Sequence, residues 1–157
     1  MITLKSITAA NFEECIQLKL TKEQQHYIAT NTYSLAESYA MINDGTYTPM
    51  PYAIYSHNIM VGFIMAIYDA NESTYYISRL MIDTSHQGNG YGKQALLKMI
   101  EVMKTFPHGH TDAILLSCSK ANVVPYKLYE SVGFMNTGNV DEAGDCYMKL
   151  TLKHHAH

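Results

Sequence analysis

Residues 2–7 alternate apolar and polar side chains, the period of a strand with one buried face. Beyond Thr8 the period lengthens, and Phe12, Cys15, Ile16 and Leu20 return at helical spacing. Thr21 with Gln24 has the spacing of a capping box, and so has Ser34 with Glu37. The second box opens a helical stretch over residues 35–42, stopped at Asn43-Asp44-Gly45. Two short helices or a helical hairpin are therefore expected after the first strand. Pro49 and Pro51 mark a boundary, after which residues 52–55 and 59–68 form a hairpin across Ser56-His57-Asn58. Residues 75–83 make a further strand.

A long helix follows a glycine-rich turn, with Tyr91, Ala95, Leu96, Met99, Ile100 and Met103 on one face. Lys93, Lys98, Glu101 and Lys104 fall largely off that face, and Pro107 ends the helix. Residues 113–117 are a near-continuous apolar run, as expected of a strand buried on both faces. Residues 125–131 read as a short helix ended at Val132-Gly133, and Phe134 onward and residues 146–152 as closing strands. With no internal repeat and no low-complexity segment, residues 1–157 are expected to form one domain of mixed α+β (α/β) class with a crossover helix in its middle.

Composition narrows the functions available. At 47% hydrophobic and 16% charged residues, the chain reads as a soluble globular protein. A net charge of −3 and the lack of any long basic tract argue against a nucleic-acid partner. No apolar run approaches the ~18 residues of a membrane span, and the N-terminus lacks the pattern of a signal peptide. Cys15, Cys118 and Cys146 are odd in number and far apart, which suits reduced thiols in a cytoplasmic protein. Function is thus sought in a small-molecule site.

The turn Gln87-Gly88-Asn89-Gly90-Tyr91-Gly92 is the candidate. Glycine permits positive φ and removes the Cβ that would hold a ligand off the backbone. The helix that follows offers free N–H groups and the positive end of its dipole, a cradle suited to a pyrophosphate. A P-loop needs four residues between its first glycine and the Gly-Lys pair, and Gly88 to Gly92-Lys93 leaves three, with Gln94 where Ser or Thr would hold magnesium. A dinucleotide fingerprint needs G-x-G-x-x-G after the first strand, whereas this is G-x-G-x-G after several. The alternative, a tight turn that binds nothing, is not removed by the glycines themselves.

The surrounding residues carry a resemblance. Gln87-x-x-Gly90-x-Gly92 is similar to the Q/R-x-x-G-x-G/A signature of the GNAT superfamily of N-acetyltransferases, and follows Arg79-Leu80-Met81-Ile82-Asp83, which resembles that family's fourth strand. Ser119-Lys120-Ala121-Asn122-x-x-Pro125-Tyr126-x-Leu128-Tyr129-Glu130-x-x-Gly133-Phe134 resembles its N-x-x-A-x-x-L-Y-x-x-x-G-F segment, with Pro125 in place of alanine. The resemblance implies a central mixed, mostly antiparallel sheet of about six to seven strands flanked by about four helices. Two segments, Gln24-x-x-Tyr27-Ile28-Ala29-x-Asn31-x-x-Ser34-Leu35-Ala36-Glu37 and Ser78-Arg79-x-Met81-Ile82-Asp83, look like the bacterial spermidine/spermine (diamine) N-acetyltransferases. A polyamine acceptor is then implied.

The same resemblance implies the roles. Backbone groups of Leu80, Met81 and Ile82 would meet the pantetheine arm of acetyl-CoA beside a splayed or bulged strand, their side chains being core. Gln87, Gly88, Asn89, Gly90, Tyr91, Gly92 and Lys93 would hold the pyrophosphate, and Asn122 would hydrogen-bond the arm. Tyr129, seven residues after Asn122, would protonate the leaving thiolate, a task a phenol of pKa about 10 suits. A primary amine is only about 0.1% neutral near pH 7, so a base or water chain must also take a proton. Ser78 stands where related enzymes carry a glutamate, which leaves that base open between a water relay and a tyrosine such as Tyr76. Tyr33 and Glu37 are candidates for an amine pocket. Direct transfer needs no acyl-cysteine at Cys118, which reads as a buried structural thiol. His108 and His110 in a Pro-Gly turn, and His154, His155 and His157 in the tail, make no metal site by spacing, so no metal is expected. Other acceptors stay open, namely an aminoglycoside, an amino-acid amine or a protein N-terminus, as does a non-catalytic acyl-CoA sensor. A homodimer is the habit of the family.

Overall fold

The computed structural model describes residues 1–152, so the tail histidines lie outside the described residues. In chain order the elements are β1 Ile2–Ser6, α1 Phe12–Gln17, α2 Asn31–Asp44, β2 Tyr47–Ser56, β3 Ile59–Asp69 and β4 Thr74–Ile82, then α3 Tyr91–Met103, β5 Ala113–Cys118, α4 Val123–Val132, β6 Met135–Val140 and β7 Cys146–Thr151. The strands form one seven-stranded sheet in the order β1-β2-β3-β4-β5-β7-β6. Only β4 and β5 run parallel, joined by the crossover through α3, and every other pairing is antiparallel.

The sheet is covered on both faces. Successive residues of β3 alternate between two cores: Ile64, Ala66 and Tyr68 pack with α3, while Phe63 and Met65 pack beneath α1 and α2. That is why β3 reads as an unbroken apolar run. The apolar face of α3 is the one the periodicity predicts, with Ala95, Leu96, Met99, Ile100 and Met103 buried.

Several expected boundaries move, each for a physical reason. The first helix stops at Gln17, because Leu18 turns to extended backbone and Leu20 continues beyond the helix. The Thr21–Gln24 box forms with both of its bonds at 3.3 Å, though on a single 3-10 turn. Ser34 does not open the second helix. Thr30 caps it by accepting from the Tyr33 N–H, and Ser34 lies buried one turn inside, donating to the Thr30 carbonyl at 3.0 Å. Gly45 ends the helix in the left-handed conformation.

Pro49 and Pro51 fall inside β2 instead of before it. Strand β1 pairs only with Tyr52 through Ser56, so at both prolines β2 is an edge, where a missing N–H forfeits no ladder bond. The α3 helix ends at Met103, short of Pro107. Strand β5 is fully buried on one face only, at Ile114, Leu116 and Cys118. Helix α4 starts at Val123, so Pro125 sits in the first turn, where no helical N–H is needed.

Candidate active site

Strand β4 changes partners halfway along. Its parallel pairing with β5 covers only Tyr75↔Ile114 to Ile77↔Leu116, and beyond it the two strands part. On its other edge the register with β3 slips: Ile77 faces Ala66 and Arg79 faces Met65, so Ser78 is the extra residue of a bulge. The Ser78 hydroxyl donates to the Met65 carbonyl at 3.2 Å, and the Arg79 guanidinium donates to the Ser78 carbonyl at 2.8 Å. Bulge and splay together open the sheet between β4 and β5.

A cavity of about 850 Å³ occupies the opening. Leu80, Met81 and Ile82 at the end of β4 form one wall. The turn and the start of α3 contribute Gln87, Gly88, Gly90, Tyr91, Gly92 and Lys93, and α4 contributes Asn122 and Tyr129. Of the residues expected around acetyl-CoA, only Asn89 stays outside the lining; its amide donates to the His86 carbonyl at 3.0 Å and braces the turn.

The turn is built as its glycines suggest. Gly88 and Gly90 have φ of +84° and +75°, and Gly90 is the N-cap of α3. The first intrahelical bond recorded there is from Gln94 to Gly90, so the N–H groups of Tyr91, Gly92 and Lys93 have no carbonyl one turn back. Gln87 works through its side chain: the amide donates to the Ile82 carbonyl and to Gln24 Oε1, each at 2.9 Å. The exit of β4 is also clamped. Asp83 accepts from the Lys19 N–H at 2.8 Å, and the Thr84 N–H and hydroxyl both donate to the Lys19 carbonyl at 2.8 Å. Burial pushes the Asp83 carboxyl up, but the hydrogen bonds from Ser85 and Lys19 outweigh it and hold the pKa below its ordinary value.

Tyr129 is 8% exposed, and its ring meets Phe134 edge-on at 6.1 Å. Its hydroxyl makes no hydrogen bond among the described residues, and Tyr129 lines the cavity. Burial, with Cys118 and Tyr76 close by, drives the phenol well above the ordinary tyrosine range. The phenol is therefore protonated at neutral pH, as a general acid must be, but it is a weaker acid than the ordinary pKa of about 10 expected from the sequence. Asn122 is the N-cap of α4, yet its side chain makes no capping bond and lines the cavity.

A smaller chamber of about 90 Å³ lies behind this cavity, sharing Leu80, Asn122 and Tyr129 with it. Ser78 and Arg79 from the bulge, Ser117 and Cys118 from β5, and Asp145 from the turn before β7 complete it. Tyr76 stands beside the chamber, its hydroxyl 2.6 Å from the Ser117 hydroxyl, and burial raises its pKa against the lowering effect of that bond. Glu37 lines neither cavity but reaches Arg79 from α2, with 3.6 Å between Oε1 and the guanidinium. Tyr33 is 58% exposed and lines neither. Arg79 and Asp145 were not anticipated. Arg79 adjoins Ser78 in the strand segment that carries the family resemblance, a signal for its place in the site; Asp145 carries no local signal. Among the described residues no group of three or more His, Cys, Asp or Glu side chains is placed to hold a metal ion.

Residues 12–134 match the model of the acetyltransferase (GNAT) family. The spermine/spermidine N(1)-acetyltransferase of Bacillus subtilis (strain 168) is 26% identical over 157 residues, covering 96% of this chain and 99% of that one. Among solved structures, the spermidine N-acetyltransferase from Vibrio cholerae in complex with CoA and spermine superposes with a TM-score of 0.75 at 16% identity, covering 96% of this chain and 95% of that one. The aminoglycoside acetyltransferase AAC(6')-Ib in complex with coenzyme A superposes equally well, with a TM-score of 0.74 at 16% identity over 96% of this chain and 95% of that one. These structures share the fold while their names give different amines. The family match spans the bulged β4, the glycine turn and all of α4, and by it this chain belongs to the acetyltransferase (GNAT) family and is an acetyl-CoA-dependent N-acetyltransferase.

Proposed function

We propose that this enzyme, one domain over residues 1–157, acetylates a primary amine of a polyamine by direct attack. The observation that carries the reading is that one cavity is lined both by the backbone anion cradle of the glycine turn and by Tyr129, whose hydroxyl has no hydrogen-bond partner among the described residues. The cradle fits a pyrophosphate, since positive φ at Gly88 and Gly90 aims backbone toward open space and nothing lies within 4 Å of the place a Cβ of Gly88 would take. The edge of β4 past Ile77 has lost its β5 partner and is available to amide groups of a pantetheine arm.

In this reading residues 87–93 hold the pyrophosphate, the backbone of Leu80, Met81 and Ile82 pairs with the arm, and the Asn122 amide bonds to it. Acetyl-CoA, when bound, supplies an acetyl group activated as a thioester. Tyr129 Oη, which lines the same cavity, would supply the proton that the departing thiolate takes up. In this reading Tyr129 serves as the acid, and the amine's proton leaves by another group of the small chamber or by water. The full-length likeness to the Bacillus subtilis spermine/spermidine enzyme supports a polyamine acceptor. No helix among the described residues is long and apolar enough to cross a membrane. Free thiols at Cys15, Cys118 and Cys146 suit the cytoplasm, and the reading includes a homodimer, which light scattering tests.

The deciding experiment is thiol release from acetyl-CoA against spermidine, spermine, putrescine, an aminoglycoside and a lysine peptide. Turnover with the polyamines, lost in Tyr129→Phe, is the expected result. Turnover only with another amine overturns the acceptor. Silence across the panel with acetyl-CoA still bound favours a non-catalytic sensor.

A further inference from the structure

We propose that the small chamber behind Tyr129 receives the ammonium end of a slender, unbranched alkylamine, and that the Asp145 carboxylate is the counter-ion that holds it. The inference rests on the acetyl-transfer reading above and adds the residue and the shape that select the acceptor.

The charges of the chamber decide its ligand. Arg79 and Asp145 are the residues of its lining that carry a formal charge at neutral pH. Cys118 stays a neutral thiol because burial pushes its pKa up to about 11. The Arg79 charge is already met, by Glu37 across from α2 at 3.6 Å and by the Ser78 carbonyl at 2.8 Å. The Asp145 carboxylate has no hydrogen bond and no cation beside it among the described residues. One uncompensated negative charge remains, in a partly buried recess whose other polar side chains, Tyr27, Ser78, Ser117, Ser119, Asn122 and Tyr129, are all neutral. A cation with several N–H donors completes it.

Asp145 is held in place by its backbone. Its N–H donates to the Asp141 carboxylate and its carbonyl accepts from the Asp141 N–H, both at 2.9 Å. Strand β7 then begins at Cys146, paired with Cys118 at the end of β5, which fixes the preceding residue at the chamber. The volume of about 90 Å³ amounts to roughly three water molecules. Ile28, Ile77 and Pro125 line it with apolar surface suited to methylene groups. An alkyl chain ending in ammonium fits such a space, and a ring-borne amine does not.

The test is steady-state kinetics with spermidine, n-butylamine and cyclohexylamine on the wild type, Asp145→Asn and Asp145→Glu, with CoA affinity measured by calorimetry on each. Asp145→Asn is expected to raise the KM for spermidine and n-butylamine about 10- to 100-fold, the range of a lost charge-assisted bond, with CoA affinity unchanged. Asp145→Glu recovers most of the loss, and cyclohexylamine is a poorer acceptor than n-butylamine by at least about tenfold. An acceptor KM within about twofold of wild type in Asp145→Asn overturns the proposal while leaving acetyl transfer intact. If Asp145→Asn no longer binds CoA, Asp145→Glu decides, and a rise beyond about fivefold in its acceptor KM counts against the assignment. A wild type that binds CoA but turns over none of the three amines removes the acceptor reading and this inference together.

Discussion

The Gln87 side chain donates to the Ile82 carbonyl at 2.9 Å, joining the last residue of β4 to the turn that follows it. The same amide bonds to Gln24, whose carbonyl oxygen also accepts from the Thr21 N–H, so the capping box and the glycine turn form one network. Replacing Gln87 with Leu keeps the bulk and removes the network. Because Gln87 is exposed, water takes over the freed groups, and stability should fall by less than about 1 kcal/mol, or about 2–4 °C in melting temperature. The pyrophosphate cradle loses its tie to β4, and CoA affinity should fall about five- to tenfold. Calorimetric titration beside a thermal melt separates the two effects.

The glycines of the turn should differ in tolerance. Gly90→Ala forces a side chain into left-handed backbone at φ +75°, which costs about 1–2 kcal/mol although nothing crowds the new methyl. Gly92 lies in the first turn of α3, outside the left-handed region, and its Cβ would make ordinary contacts at 3.7 Å with Leu128 and 3.8 Å with Ile82. Gly92→Ala should therefore leave the melting temperature unchanged or raise it by a few degrees.

Tyr129→Phe removes a hydroxyl that makes no hydrogen bond among the described residues, so folding stability and CoA affinity should stay near those of the wild type. The rate constant kcat should fall about 10²- to 10⁴-fold, the usual contribution of a positioned acid. A variant with unaltered kcat would remove Tyr129 from the chemistry.

Alkaline pH should destabilise the protein. Burial raises Cys15 and Cys118 from 9.0 to about 11, and raises Tyr75, Tyr76 and Tyr129 above 10.0. Each folded pKa lies above its unfolded value, so the stabilisation is complete below the unfolded pKa and lost as pH rises through the folded one. For the two thiols that window is pH 9 to 11. Melting temperature followed from pH 7 to 11 should stay level and then fall from about pH 9, less steeply in Cys15→Ala than in the wild type.

What the sequence discloses tracks how local the cause is. The glycine turn, the apolar stripe of α3 and the helix stop at Gly45 each depend on neighbours a few residues away, and each is where the pattern puts it. The Thr30 cap escaped because Ser34–Glu37 has the same spacing as a true box, and Glu37 instead reaches outward to Arg79. The edge position of Pro49 and Pro51 depends on the length of β1, more than forty residues earlier in the chain. Asp145 joins Tyr129 in the lining of the small chamber through the pairing of β7 with β5, a non-local register that no spacing encodes.

The Glu37–Arg79 pair gives the last prediction, because it separates a structural from an electrostatic role. At 3.6 Å, with both side chains partly exposed, the pair adds at most about 1 kcal/mol to stability. Arg79 Nε is buried with no hydrogen-bond partner among the described residues, so the guanidinium depends on Glu37 for compensation. In Glu37→Gln the positive charge of Arg79 would lose its carboxylate partner and compete with an ammonium for the field of Asp145 in the chamber. The acceptor KM should rise about tenfold while CoA affinity holds. Adding Arg79→Met to Glu37→Gln removes the competing charge, and the KM should return most of the way, although the Ser78 carbonyl also loses its donor. If the double variant is worse than Glu37→Gln alone, Arg79 is needed to hold the bulge, and compensation of its charge is not what Glu37 contributes.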